Sequence, residues 1–156
     1  MDVDKSRTWR KKSVPILVIE DNPDHQLLIG YSIRATMPQA EPVFVYTPTE
    51  ALAHLHTSSP KAFPSLVLLD LSLPALADTS PCLDQGWQLL SELRTSYPRL
   101  PIIVLSHHNE KAVYEKAYEL GVHSYINKPM GLDAWEACFE VLNAYWFGTV
   151  RLPSTR

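Results

Sequence analysis

Cysteine is scarce in this chain, with two residues, Cys82 and Cys138, in a length of 156. They form no metal-ligand spacing, which removes thiolate zinc sites, and they read as free thiols of a cytoplasmic protein rather than a disulfide. No apolar run reaches transmembrane length, and no signal-peptide pattern opens the chain, the apolar run after the basic residues being too short, so neither a membrane span nor a secretion signal is expected. Neither a repeat nor a low-complexity tract occurs. Charge of one sign does not dominate: 14 Lys and Arg against 17 Asp and Glu leave a net charge of -3. That balance gives no pull toward nucleic acid or a membrane surface. No glycine-rich turn follows the first strand, which argues against a nucleotide-binding Rossmann module. What is left is a single soluble domain of ordinary apolar content, 46%.

Several short buried strands are present. Ser65 to Pro74 reads SLVLLDLSLP, in which Leu66-Val67-Leu68-Leu69 is an apolar run ending on Asp70. Such a run suits a strand covered on both faces, as in parallel sheets. Pro15 to Ile19 is a second run, followed by Glu20-Asp21; Ile102 to Leu105 is a third, ending on Ser106. Val43 to Tyr46 and Ser124 to Asn127 are shorter strands, the latter followed by Lys128-Pro129. Helices fall between them. Asn22-Pro23 opens one, with Leu27, Leu28, Tyr31 and Ala35 on its expected apolar side. Thr47-Pro48-Thr49-Glu50 forms a capping box for the next, with Ala51, Leu52 and Leu55 inward. After Asp70 a long polar loop is expected to about Gly86, then a helix to Tyr97 with Trp87, Leu89, Leu90 and Leu93 apolar. Asn109 to Leu120 is helical with Gly121 at its C′ position, and a final helix runs from about Leu132 to Trp146. The alternation predicts an α/β domain, a parallel sheet with helices on both faces, spanning residues 14–147. Residues 1–13, with Lys5, Arg7, Arg10, Lys11 and Lys12, read as a basic solvated arm, and residues 148–156 as a tail with no output domain behind it.

Parallel strands bring Glu20, Asp21, Asp70, Ser106 and Lys128 to one edge of the sheet, where ligands of open α/β sheets collect. Three crowded carboxylates resist ionisation, and a hard divalent cation such as Mg²⁺ relieves them. Lys128 supplies a point charge and Ser106 a hydroxyl for phosphoryl oxygens, while a strand-end carboxylate can act as the nucleophile. Together these are the parts of phosphoryl transfer.

On the segments ILVIEDNPD, LVLLDLSLP, IIVLS and GVHSYINKP, residues 15 to 147 resemble a receiver domain of two-component response regulators. The resemblance implies a flavodoxin-like (βα)5 fold of five parallel strands. It implies that Asp70 accepts phosphate from a histidine kinase, with Glu20, Asp21, Asp70 and the Ser72 backbone carbonyl holding Mg²⁺. Lys128 and Ser106 then bind the phosphoryl group, and Tyr125 swings inward with Ser106. It further implies a cis Lys128-Pro129 bond. SHHNEKAVYEKAYELGVHSYINK and AYWFGTVRLP are similar to the single-domain regulators that partner cyanobacterial phytochromes.

Two departures stand out. The glycine usual after the phosphorylated aspartate comes late, so Ala75 to Gln85 contains an insertion; and His107 follows Ser106, where the family mostly has a small residue. The other histidines, His25, His54, His56, His108 and His123, are expected to be solvated. Tyr114 and Tyr118 share a helix face, and with Val141 and Tyr145 they suggest a homodimer through the last two helices and the strand between them. No nucleic-acid or membrane partner is expected. Two other readings remain. An aspartate-nucleophile phosphatase would want a second Asp where Ser72 stands. A degenerate receiver would bind protein without phosphorylation.

Overall fold

Successive residues of each central strand enter two different cores, because side chains alternate across a sheet. The computed structural model describes residues 13–75 and 78–155. In chain order the elements are β1 (Val14–Ile19), α1 (Pro23–Thr36), β2 (Ala40–Val45), α2 (Pro48–Thr57), β3 (Leu66–Asp70), β4 (Leu73–Ala75) and β5 (Asp78–Cys82). They continue with α3 (Leu83–Ser96), β6 (Ile102–Ser106), α4 (Lys111–Glu119), β7 (Ser124–Asn127), α5 (Leu132–Leu142) and a π-helical turn at Asn143–Phe147. One sheet has the order β2-β1-β3-β6-β7, all parallel. Leu17, Ile19, Val67, Leu69, Ile102 and Val104 face a core closed by α2, α3 and α4. Ile16, Val18, Leu66, Leu68, Ile103 and Leu105 face the other, closed by α1 and α5. The middle strands β3 and β6 are buried at every position, which is why their apolar runs are continuous rather than alternating.

Local signals set the helix starts. The Asn22 side chain accepts from the Asp24 and His25 amides, and Pro23 takes the first helical position of α1. Thr47 Oγ1 accepts from Glu50 N at 3.1 Å and Glu50 Oε2 from Tyr46 N at 2.9 Å, so the box reaches back one residue before the cap. Gly121 has φ 97° past the end of α4, a conformation that suits glycine.

Several expectations need correction. Strand β2 begins at Ala40, three residues before the apolar signal, because Val14 to Ile19 pair with all six of its residues. On α1 the buried residues are Ile29, Gly30, Ser32 and Ile33, while Leu27 and Tyr31 are exposed. The helix carries apolar residues on two sides, and packing against α5 and the sheet selects the stripe through Ile29, Ile33 and Met37. The segment after Asp70 is not a plain loop: β4 and β5 form an antiparallel hairpin with Leu73 opposite Cys82 and Pro74 opposite Pro81. Prolines are tolerated in such a two-stranded edge, and the turn-rich composition suits a short hairpin as well as a loop. The side chains of 74–82, including the Cys82 thiol, and residues 1–12 of the basic arm lie outside the described residues. Helix α3 accordingly starts at Leu83, and Gly86 lies inside it. An added Cβ there would sit 2.3 Å from the Leu71 carbonyl oxygen, so glycine is what lets α3 approach the chain just beyond Asp70. Helix α4 starts two residues later than predicted, at Lys111. Leu132 is exposed as the first residue of α5, and the inward stripe starts at Trp135.

The C-terminal segment belongs to the domain. Beyond α5 the chain widens into the π-helical turn, with Val150 N donating to Tyr145 O at 2.9 Å. Trp146 is buried, Val150 and Leu152 pack on the α1/α5 core, and Thr155 Oγ1 donates to Pro64 O at 2.8 Å. Removing residues 148–156 uncovers that core. Loss of about 2 kcal/mol of apolar burial should lower the melting midpoint by about 4–8 °C, read by circular dichroism. An unchanged midpoint would show that the strap contributes nothing.

Candidate functional site

Parallel register delivers the site. Strands β1, β3 and β6 run the same way, and the residues at or just past their ends are Glu20, Asp21, Asp70 and Ser106. Ser106 pairs with Asn127, and Lys128 N donates to Ser106 O at 2.8 Å, which carries the lysine to the same edge. The bond before Pro129 is trans, a correction to the cis expectation. An X-Pro bond differs by only about 0.5–1 kcal/mol between isomers, so either is accessible to the chain.

Glu20, Asp21 and Asp70 offer carboxylate oxygens that lie within 4.8 Å of one another. Glu20 and Asp70 are buried; Asp21 is half-buried at the mouth. Lys128 Nζ, itself buried, lies 2.8 Å from Glu20 Oε2 and 3.5 Å from Asp70 Oδ2. Backbone amides complete the arrangement: Asn22 N reaches Glu20 Oε1 at 3.2 Å and Ser72 N reaches Asp70 Oδ1 at 3.0 Å. Gln26 Nε2 donates to Glu20 O at 2.7 Å, tying the first turns of α1 to the end of β1.

One ammonium does not neutralise three carboxylates. Burial, and then the Glu20 charge, push the Asp70 carboxyl above its ordinary range; Lys128 and the Ser72 amide act the other way. Asp21 is also raised, first by burial and then by hydrogen bonding to Asp70 and by its charge. The excess negative charge and the all-oxygen donor set fit a hard divalent cation, with Asp21 on the open side. Glu20, Asp21 and Asp70 are the residues that would hold it.

The switch candidates are tied together through the backbone of His108. Its N–H donates to Ser106 Oγ at 3.1 Å, and its carbonyl accepts from the Tyr125 hydroxyl. Tyr125 is therefore directed inward, beside Ser106, and burial raises its pKa. Its N–H donates to the Tyr118 hydroxyl at 3.0 Å, and its ring lies 6.1 Å from that of Tyr114. So Tyr118, though half exposed, anchors α4 to the edge strand, and Tyr114 is partly covered; Val141 on α5 and Tyr145 in the π-helical turn are 69% and 51% exposed.

One histidine expected in solvent, His25, is instead partly buried in the site. His25 Nδ1 lies 3.0 Å from Lys128 Nζ and 3.4 Å from Glu20 Oε1. The signal was present in its position: the third residue of a helix leans toward the N-terminus, and here the N-terminus adjoins the carboxylates. His123 is exposed as expected, yet its Nδ1 accepts from Ile102 N at 3.1 Å and its ring meets Trp146 edge-on, so it joins β6 to the π-helical turn. His107 lies with its ring centroid 5.2 Å from that of His25. Both pKa values are lowered, by burial first and by Lys128 next.

The profile of the response regulator receiver domain matches residues 16–139. The chain belongs to the response regulator receiver family. The response regulator Rcp1 of Synechocystis is 29% identical over 147 residues, 89% of this chain and 92% of its own. A crystal structure of the phosphorylated cyanobacterial phytochrome response regulator RcpA superposes with a TM-score of 0.76 at 28% identity, covering 90% of this receiver and 99% of that chain. The Mn²⁺-bound form of Rcp1 gives 0.74 at 25% identity, covering 90% and 99%. This receiver thus resembles the single-domain, phytochrome-associated members. No helix among its described residues is long and apolar enough to cross a membrane.

The raised carboxylates carry a pH consequence for the metal-free protein. Asp70 binds its proton more tightly folded than unfolded, so its contribution to stability is full at low pH and is lost as pH rises past the ordinary carboxylate value of about 4 and through the higher folded value. Asp70→Asn should therefore melt higher than wild type at neutral pH with chelator present, and the gap should close on acidification. A variant that melts lower at neutral pH contradicts the charge argument.

Proposed function

We propose that this receiver is the phosphoacceptor of a two-component relay, with Asp70 taking a phosphoryl group from the phosphohistidine of a sensor histidine kinase. The reading rests on one arrangement: three carboxylates within 4.8 Å of one another, with the Lys128 ammonium 3.5 Å from Asp70. An Asp70 oxygen attacks phosphorus as the P–N bond of the donor breaks, and the electron pair leaves with the imidazole, which takes up a proton. Lys128 and the Ser106 hydroxyl receive the equatorial oxygens; Ser106 can donate there while its oxygen still accepts from His108 N. Mg²⁺ held by Glu20, Asp21, Asp70 and the Ser72 carbonyl would supply charge compensation for the same oxygens. Tyr125 keeps its inward position through His108 and reports occupancy to α4 through Tyr118.

Likeness to RcpA, and to a response regulator in red light signalling of R. palustris at a TM-score of 0.75 and 25% identity, supports a phytochrome-type kinase as the donor. The exposed Val141 on α5, Tyr145 in the π-helical turn and the aromatic surface of α4 support a homodimer through α4, β7 and the last helical segment.

Incubation with acetyl phosphate and Mg²⁺ should add one phosphoryl group to wild type by intact mass, and none to Asp70→Asn. Labelling of that variant at wild-type level on another aspartate would remove Asp70 from the role. For the dimer, sedimentation velocity over a concentration series should give a dimer for wild type and a monomer for Val141→Glu/Tyr145→Glu; a wild type that stays monomeric with and without phosphodonor ends the proposal.

A further inference from the structure

Lys128 has three N–H bonds to place in a buried site. Two contacts are to carboxylates, Glu20 Oε2 at 2.8 Å and Asp70 Oδ2 at 3.5 Å; the third is His25 Nδ1 at 3.0 Å. An ammonium has no acceptor, so His25 Nδ1 must accept, and the ring proton is on Nε2. The neighbouring Glu20 Oε1 at 3.4 Å does not reverse this assignment, because the ammonium contact is the shorter one and an ammonium can only donate. His25 is held on both sides. Its backbone N–H donates to the cap oxygen of Asn22, and its ring rests against that of His107, centroids 5.2 Å apart. With 23% of its side chain exposed, it is not a freely solvated surface residue.

From this geometry we infer that His25 is a positioning residue for phosphoryl transfer, whose Nδ1 is the acceptor that holds the Lys128 ammonium at Asp70. The inference rests on the phosphoacceptor reading above. Its chemistry differs from that of the carboxylates. Glu20 and Asp70 are engaged by a cation and by the phosphoryl group respectively when the site works. A neutral imidazole is consumed by neither. It orients the ammonium without cancelling its charge, so the full charge meets the phosphoryl oxygens.

The test measures labelling by acetyl phosphate with saturating Mg²⁺ in wild type, His25→Leu and His25→Asn, with melting curves and calorimetric Mg²⁺ affinity for each. The Asn amide oxygen sits where Nδ1 does and can accept; Leu fills the space and cannot. His25→Ala is the second acceptor-free variant, should His25→Leu fail to fold. Expected is a maximal rate about tenfold lower in the acceptor-free variants, at unchanged half-saturating donor concentration and Mg²⁺ affinity, with most of the rate restored in His25→Asn. An acceptor-free variant as fast as wild type overturns the inference, as does a His25→Asn as slow as it. A wild type that does not label overturns the phosphoacceptor reading itself, an outcome separate from both.

Discussion

The ion pair between Lys128 and Glu20, 2.8 Å long with both side chains almost fully buried, is the interaction on which the site depends. A buried charge is tolerated only when paired and hydrogen-bonded, so each member needs the other in place. The pair also joins the two ends of the construction, since Glu20 follows β1 and Lys128 follows the edge strand β7. It leaves Asp21 and Asp70 with more negative charge than the site can hold comfortably. That imbalance favours a cation, and together with burial, the larger cause, it raises the carboxyls there although an ammonium is close by.

From this centre the structure extends in two directions. Through Ser106, His108 and Tyr125 it reaches α4 and the edge strand by successive hydrogen bonds, each to a backbone group. Backbone partners make the chain of contacts sensitive to the path of the β6–α4 segment and indifferent to the His108 side chain. In the other direction, Gly86 lets α3 sit against Leu71, so the hairpin of β4 and β5 emerges directly beside the chain that follows Asp70. The second core, under α1 and α5, reaches the strap that follows the π-helical turn, and His123 connects the turn itself to β6.

Much was legible in the residues alone, and for a common reason. Continuous apolar runs mark the buried strands 66–69 and 102–105, proline and asparagine or threonine mark the starts of α1 and α2, and strand alternation with helices forces the strand-end residues 20, 21, 70, 106 and 128 onto one edge. These are local or topological signals, carried by periodicity and capping chemistry.

What the tertiary structure decided is of another kind. Helix α1 has two apolar sides, and only contact with α5 and the sheet selects Ile29 and Ile33 over Leu27 and Tyr31. The hairpin at 73–82 is written in turn-forming residues, which do not distinguish a loop from two short paired strands. His25 looks like any polar residue of a first helical turn until β7 carries Lys128 beside it, 103 positions later in the chain. Side-chain periodicity is a property of one element, so the sequence by itself determined which elements form and which of their ends meet; which face turns inward, and which distant side chains touch, depends on packing between elements and was decided only in the folded molecule.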